Sequence, residues 1–572
     1  MVRRTWLSCL VVASLLWGSG SSLAQQPTPI AVVSISGYDE LRGDLEMIGK
    51  LGGTPELAKM VEGFIAIGTG GRGLAGLDKA RPLGAVVYVD GEEFPVIGFV
   101  PVTNLKSLLQ ALAGPLGEAK DAGQGVYEIS VGETSLYVKQ QGGWAFVASE
   151  KDLLDKAPAD PLKLLAGQEK KYDLAVSLSV KNLPEHLRNM VAGLLQMGAQ
   201  QALEKQPGET DEQHQLRVKL AQRSLEEAIK QINDLDTVLL GLNIDQKTKT
   251  AYVDLQVTAK PGTQMAKEAA MAAKVESQML GFVLPDAVFS VRATGPITEA
   301  DRTSMKEIFP QLKKQLLEQL QDQGLSDEQI KKAKELLEEL FTLLEESAEA
   351  KAMDMAASLV LKADALSLLM GGSVPNGTKI EAWFKKLVKA VQEEEPAIEN
   401  HVKLNADTYE GVNLHVATVP LPPDTPDAEK LSKLLGPQLD IVLGTAPNAL
   451  YLAIGQDAEK LLKKAITQSK QKAGTPVIPT EMSFSLGKFL QFLQDVAEDQ
   501  GPQERMVLQS LTKILAKSGG KDNITLKVTP VPNGVQIRLE LQEGVLSIFG
   551  ALPQMGMIMG APGMPAAPKL EF

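Results

Sequence analysis

The stretch ITLKVTPVPNGVQIRLEL, residues Ile524 to Leu541, decides the fold class. Its second run, Val535-Gln-Ile-Arg-Leu-Glu-Leu541, alternates apolar and polar residues, the period of a strand buried on one face. Pro532-Asn533-Gly534 between the runs is a turn signal, so the stretch reads as an antiparallel hairpin. Thr237 to Ile244 and Ala251 to Thr258 read as a second such hairpin. Each hairpin closes a long series of elements, and the two series run in the same order.

Strands at Ala31 to Ile35 and at Ala287 to Val291 open the two series. Two helix-like segments follow in each, Asp39 to Gly49 and Thr54 to Ile67 in the first, Thr298 to Gln323 and Ser326 to Ala350 in the second. The strand pair Leu83 to Val89 and Val96 to Val102 is matched by Ala356 to Lys362 and Ala365 to Val374. The helix Asn104 to Leu116 is matched by Lys379 to Glu394. Gly125 to Ile129 then answers Gly411 to His415, Trp144 to Ala148 answers Leu450 to Ile454, and Leu174 to Leu178 answers Met482 to Leu486. Strands that arrive as hairpins, not as βαβ units, favour antiparallel sheets. The expectation is an α+β protein made of two related copies of an antiparallel-sheet-plus-helices unit, with helices packed on one face of each sheet.

The termini read differently. Arg3 and Arg4, an apolar run from Trp6 to Trp17, and Ser22-Leu23-Ala24 before Gln25 have the layout of a cleaved signal peptide. The run is too short to span a bilayer comfortably, and no later segment is long and apolar enough to do so. Leu552 to Phe572, rich in Met, Gly, Pro and Ala, reads as a disordered tail. The expected organisation is therefore a signal peptide at 1–24, a first repeat at 25–282, a second repeat at 283–550 with a helical hairpin at 298–350, and a tail at 551–572.

Cys9 is the only cysteine, so a chain cut after Ala24 has no disulfide to staple it. The formal charge of −13 becomes −15 when Arg3 and Arg4 are removed. An acidic chain without a basic stripe is a poor match for nucleic acid or an anionic membrane surface. With aromatics at 5%, stacking sites for sugars or bases are also scarce.

Several motifs tempt and fail. Gly68-x-Gly70-x-x-Gly73 copies a dinucleotide fingerprint, but what precedes it is helical, with Leu57, Met60, Val61, Phe64 and Ile65 on one face. Thr54 reads as that helix's N-cap, Pro55 as its first residue, and Gly68 as its left-handed cap. His186, His214, His401 and His415 include no i, i+4 pair for zinc, and His415 occupies the strand position of Ile129 in the first series. Ser469 to Lys472 and Ser518 to Lys521 match SxxK without its companion motifs, and Gly371-Gly372-Ser373 lacks the helix of a nucleophile elbow. Asp90 with Glu92 and Glu93 is the densest carboxylate loop, at a hairpin turn where carboxylates are ordinarily solvated. Ser326-Asp-Glu-Gln329 reads as a capping box, followed by an apolar stripe of Ile330, Ala333, Leu337, Leu340, Phe341 and Leu344. Pro310 is expected to kink the preceding helix. No residue is nominated as catalytic, cofactor-binding or metal-ligating.

The stretch Gly76-Leu-Asp-Lys-Ala-Arg-Pro-Leu-Gly-Ala-Val-Val87 resembles a segment of exported bacterial proteins of no known activity, which carry a signal peptide and a repeated α+β body. That resemblance implies export more than any chemistry. The function expected is a non-enzymatic, periplasmic or secreted binding or scaffolding protein with an unknown protein or apolar small-molecule partner, and an apolar groove between the repeats as one form of it. The alternative is a carboxylate- or serine-dependent hydrolase without a recognisable motif.

Overall fold

The computed structural model describes residues 28–558, apart from 92, 133, 203, 206–208, 322–325, 421–431, 433, 437 and 497–500. Residues 1–24, read as a signal peptide, and residues 559–572, read as part of the tail, lie outside the described residues. Within them the chain is a mixture of helices and antiparallel sheet, the α+β class.

In chain order the first half contributes β1 (Thr28–Ile35), β2 (Leu83–Val89), β3 (Val96–Pro101), β4 (Ala119–Asp121), β5 (Val126–Val131), β6 (Thr134–Gln141), β7 (Trp144–Ala148), β8 (Leu174–Ser179), β9 (Leu235–Asp245) and β10 (Thr250–Ala259). A short β11 (Val275–Glu276) follows. The second half contributes β12 (Phe289–Pro296), β13 (Ala352–Lys362), β14 (Ala365–Ser373), β15 (Val402–Tyr409), β16 (Val412–Pro420), β17 (Gln438–Ala446) and β18 (Ala449–Gly455). It ends with β19 (Pro476–Val477), β20 (Thr480–Ser485), β21 (Asn523–Val531) and β22 (Gly534–Leu541). β11 and β19 pair only with each other, and the other strands form one 20-stranded sheet.

From the outer edge inward, the first half is ordered β4-β5-β6-β7-β3-β2-β1-β8-β9-β10. The second half, from its own outer edge inward, is ordered β15-β16-β17-β18-β14-β13-β12-β20-β21-β22. Position by position, the two lists visit the strands of their half in the same chain order. The innermost strands β10 and β22 pair antiparallel from Ala251↔Leu541 to Thr258↔Gly534 and join the halves into one sheet.

The helices are α1 (Tyr38–Gly52), α2 (Leu57–Gly68), α3 (Leu105–Leu116), α4 (Glu185–Ala202), α5 (Asp211–Asp234), α6 (Gln264–Met271), α7 (Glu299–Gln321), α8 (Asp327–Ala348), α9 (Gly377–Glu394), α10 (Ala458–Gln471), α11 (Leu486–Val496), α12 (Pro502–Ala516) and α13 (Glu543–Ile558). Helical hairpins fill the connections β1–β2, β8–β9, β12–β13 and β20–β21. Those after β8 and β12 are the long ones. Ser326 caps α8 through the reciprocal bonds of a capping box with Gln329, and α7 continues through Pro310 without a break.

Helices lie on both faces of the outer second-half strands, not on one. Leu414 and Val442 pack towards Leu462 of α10, whereas His415, next along β16, meets Glu381 of α9. The strand alternation puts these neighbours on opposite faces. In the first half, Phe99 and Phe146 define a core on one face and Leu105 and Leu108 of α3 a core on the other.

Local differences from the sequence reading have local causes. Helix α2 begins at Leu57 because Thr54 to Glu56 form a turn, with Leu57 N–H donating to Thr54 C=O at 3.0 Å. Gly68 is the last helical residue, and the left-handed backbone falls on Gly70, Gly71 and Gly73. In the closing hairpin Val531 pairs with Gly534, so Pro532 and Asn533 form the turn and Asn533 takes the positive φ. Gly534 serves another need: a Cβ there would overlap the Val257 carbonyl oxygen of β10. Met279 and Phe282, which precede residue 283, pack in the second-half core. Residues 551–558, read as the start of the tail, continue α13 through Pro553.

Candidate apolar binding face

The site begins with an inversion of strand patterning. In β10, Asp254 is fully buried while its neighbours Val253 and Leu255 are exposed. The opposite strand does the same, with Arg538 facing Asp254 and Leu539 exposed. Arg538 grips Asp254 with two hydrogen bonds, Nε to Oδ1 and Nη2 to Oδ2, both 2.7 Å. Tyr172 Oη donates to Asp254 Oδ2 at 2.9 Å, and the guanidinium lies 3.8 Å from the ring centroid of Tyr252. Burial, and then the Asp254 carboxylate, push the Tyr172 phenol well above the usual tyrosine range. The bond to Asp254 raises the pKa of Arg538. The ion pair thus holds its charges on the covered side, where α6 packs against β10 and β22.

The leucines and valines that alternate with this pair point the other way. Val176, Leu240, Leu242, Val253, Leu255 and Leu539 sit side by side on β8, β9, β10 and β22, each 37% to 51% exposed. Register shows how far their face extends. Towards the first half, Leu240 pairs with Val176, Val176 with Val33, Val33 with Ala85, Ala85 with Gly98, Gly98 with Val147, and Val147 with Val138. Val138 packs with Leu105 and Leu108 of α3. Towards the second half, Leu240 pairs with Leu255, Leu255 with Ile537, Ile537 with Val528, Val528 with Thr480, and Thr480 with Ala293. Ala293 pairs with Met355, Met355 with Gly372, Gly372 with Leu450, and Leu450 with Thr445, beside His415 and α9.

Paired residues share a face, so one almost wholly apolar surface runs from α3 to α9 with its centre open. Helix α11 lies against one end of it, where Phe489 meets Phe484, ring centroids 5.4 Å apart. A contiguous apolar patch of this kind is a feature that soluble proteins usually bury or use.

Other polar clusters are closed. Asp44 of α1 is 2% exposed and accepts from Gln246 Nε2 at 2.9 Å, while its second oxygen has no hydrogen-bond partner among the described residues. Burial pushes its carboxyl up to about 7; the Gln246 bond opposes this, and Asp173 and Glu40 add to it. Asp173, also raised by burial, accepts from Ile244 N–H at 2.6 Å and from Ser36 Oγ at 3.4 Å. A buried carboxyl with a shifted pKa is a hallmark of active sites, but here it is walled in by its own helix and the β9–β10 turn.

His415 is likewise enclosed. Its Nδ1 accepts from Asn405 N–H at 3.1 Å, and its Nε2 lies 3.3 Å from Thr445 Oγ1 and 3.6 Å from Glu381. Burial lowers its pKa, against the pull of Glu381. Ser469 Oγ accepts from Gly281 N–H at 2.9 Å inside the core, and Ser518 Oγ donates to Leu515 C=O at 2.7 Å at the end of α12. Ser373 Oγ accepts from Asp354 N–H at 3.1 Å, which accounts for that serine too. Asp90 and Glu93 close the β2–β3 turn through their backbones, and Glu92 lies outside the described residues. Among the described residues no three His, Cys, Asp or Glu side chains converge as a metal cluster would require, and no helix is long and apolar enough to cross a membrane.

One further apolar groove, of about 610 Å³, runs between α7, α8 and α9, lined by Leu316, Leu320, Leu336, Leu340, Trp383 and Leu387 among others. No family model matches the chain, and neither a curated protein nor a solved structure is significantly similar to it.

Proposed function

We propose that this is an exported, non-enzymatic binding protein that holds an apolar ligand on the face formed where two copies of one duplicated unit meet. The single observation that carries the reading is the reversed patterning of β9, β10 and β22, which buries Asp254 against the half-buried Arg538 and leaves Leu240, Leu242, Leu255 and Leu539 in the open. A strand that served stability alone would turn those residues round. Duplication is supported by the matching strand orders, and by the pairing of β10 with β22, the innermost strand of each half, across the junction. Export rests on the N-terminal signal pattern.

The test is to purify the protein from an exporting host without detergent, extract it with organic solvent, and weigh both extract and chain. A lipid-like compound near one-to-one stoichiometry, on a chain that begins at Gln25, is the expected result. An empty extract together with failure to take up any added amphiphile would overturn the binding reading, and an uncleaved N-terminus would overturn export.

A further inference from the structure

The two long helical hairpins are α4–α5 and α7–α8. Register places the end of β8, the start of β9 and the end of β12 at the same end of the sheet. Helix α5 leads into β9 and α7 leaves β12, with four strands between them. At strand spacing their roots are about 24 Å apart. Yet Arg223 of α5 reaches Glu307 of α7 at 3.1 Å, and Lys219 lies 3.9 Å from the same carboxylate. These residues stand about 17 Å and about 12 Å along their helices from the roots. The two hairpins therefore lean together at the end of the sheet where β8, β9 and β12 meet them.

Among the described residues their anchors differ. Helix α8 is fixed to α9, the flank of the face: Trp383 Nε1 donates to Leu336 C=O at 2.8 Å, and Lys379–Glu346 and Lys386–Glu339 each close at 2.7 Å. Among the described residues the α4–α5 hairpin is held at its root, where Lys181 pairs with Asp236 at 2.8 Å, and by contacts to Glu307. It also carries an uncovered apolar stripe, Met190, Val191, Leu194 and Met197, exposed along one side of α4.

We propose that α4 and α5 form a lid over the apolar face, latched to Glu307 by Arg223 and Lys219, and that its release admits an extended amphiphilic lipid. This rests on the binding reading above. The stripe on α4 supplies the second apolar surface, so a chain held between lid and sheet is shielded on both sides. A latch made of partly exposed ion pairs is weak and salt-sensitive, which suits a lid that must open.

The experiment uses the full chain with Cys9 replaced by serine, carrying Arg223→Cys and Glu307→Cys, and follows phenylnaphthylamine fluorescence on mixing. Joining the two cysteines with a short bis-maleimide is expected to abolish rapid loading, while the unlinked protein loads. Glu307→Ala, which frees the latch without a crosslink, is expected to load about two- to five-fold faster than the parent, the range of a surface ion pair. Crosslinked protein that loads at the unlinked rate would overturn the lid and leave the binding face standing. If unlinked, linked and parent proteins all fail to take up the probe, the binding reading falls and the lid falls with it.

Discussion

Asp44 and Asp254 are two buried aspartates that the chain satisfies in opposite ways. Asp254 has a bidentate arginine and a tyrosine, whereas Asp44 has one amide and an idle oxygen. The folded pKa of Asp44, about 7, lies above its unfolded value, so folding favours its neutral form. The stability it contributes is complete below about pH 4 and is lost as pH rises towards 7, at most about 4 kcal/mol. Asp44→Asn should therefore flatten the fall in urea-denaturation stability between pH 4 and about 7 and make the protein more stable than the parent at pH 8. A parent-like slope in the variant would contradict this.

For the central pair, removing one partner strands the other. Arg538→Met, which leaves the Asp254 carboxylate buried alone, should cost about 3–5 kcal/mol, and Asp254→Asn, which leaves a partly exposed guanidinium, should cost less. Exchanging both for apolar residues should cost much less than the sum, as a double-mutant cycle in urea would measure. Additive losses would show that the two residues do not act as a unit.

At the scale of elements, the two closing hairpins were legible because alternation and turn chemistry are local. The direction of the alternation was not. Period two says that Val253 and Leu255 share a face and Asp254 has the other, but not which face the fold covers. The ordinary assumption puts Val and Leu inside. What reverses it is a partner 284 positions away (538 minus 254), since Arg538 meets Asp254 only when β10 and β22 pair. A signal was present, an aspartate and an arginine each at the centre of an apolar-flanked closing strand, yet nothing in either strand alone identifies them as a couple.

The boundaries of α2 and the start of the tail were misread for a related reason. Capping residues and proline bias a helix, while tertiary contacts decide where it starts and stops. Helix α13 persists past residue 551 because it crosses α1 at Gly52 and Gly550, where a Cβ on either glycine would overlap the other helix. Gly550→Ala should cost about 1–3 kcal/mol by overpacking and should expose the end of α13 to proteolysis. Unchanged protection of that helix would show that the crossing has room to spare.

On the scale of the whole molecule, one sheet carries two halves that it joins through β10 and β22, a junction with ionic pairing beneath and leucine above. The candidate site was not legible in the sequence. Leucines and valines of this face are indistinguishable from core residues until register sets them beside one another, and the lid pairs residues 84 positions apart (307 minus 223).

The most direct measurement places lysines at Leu240 and Leu255, which pair across β9 and β10, and records both thermal unfolding and equilibrium binding of phenylnaphthylamine. If the face is an open binding surface, the double variant keeps the parent's unfolding midpoint and loses the probe. If the two leucines are core in disguise, the variant unfolds at a markedly lower temperature. A folded variant that binds the probe as the parent does would contradict the assignment of the apolar face.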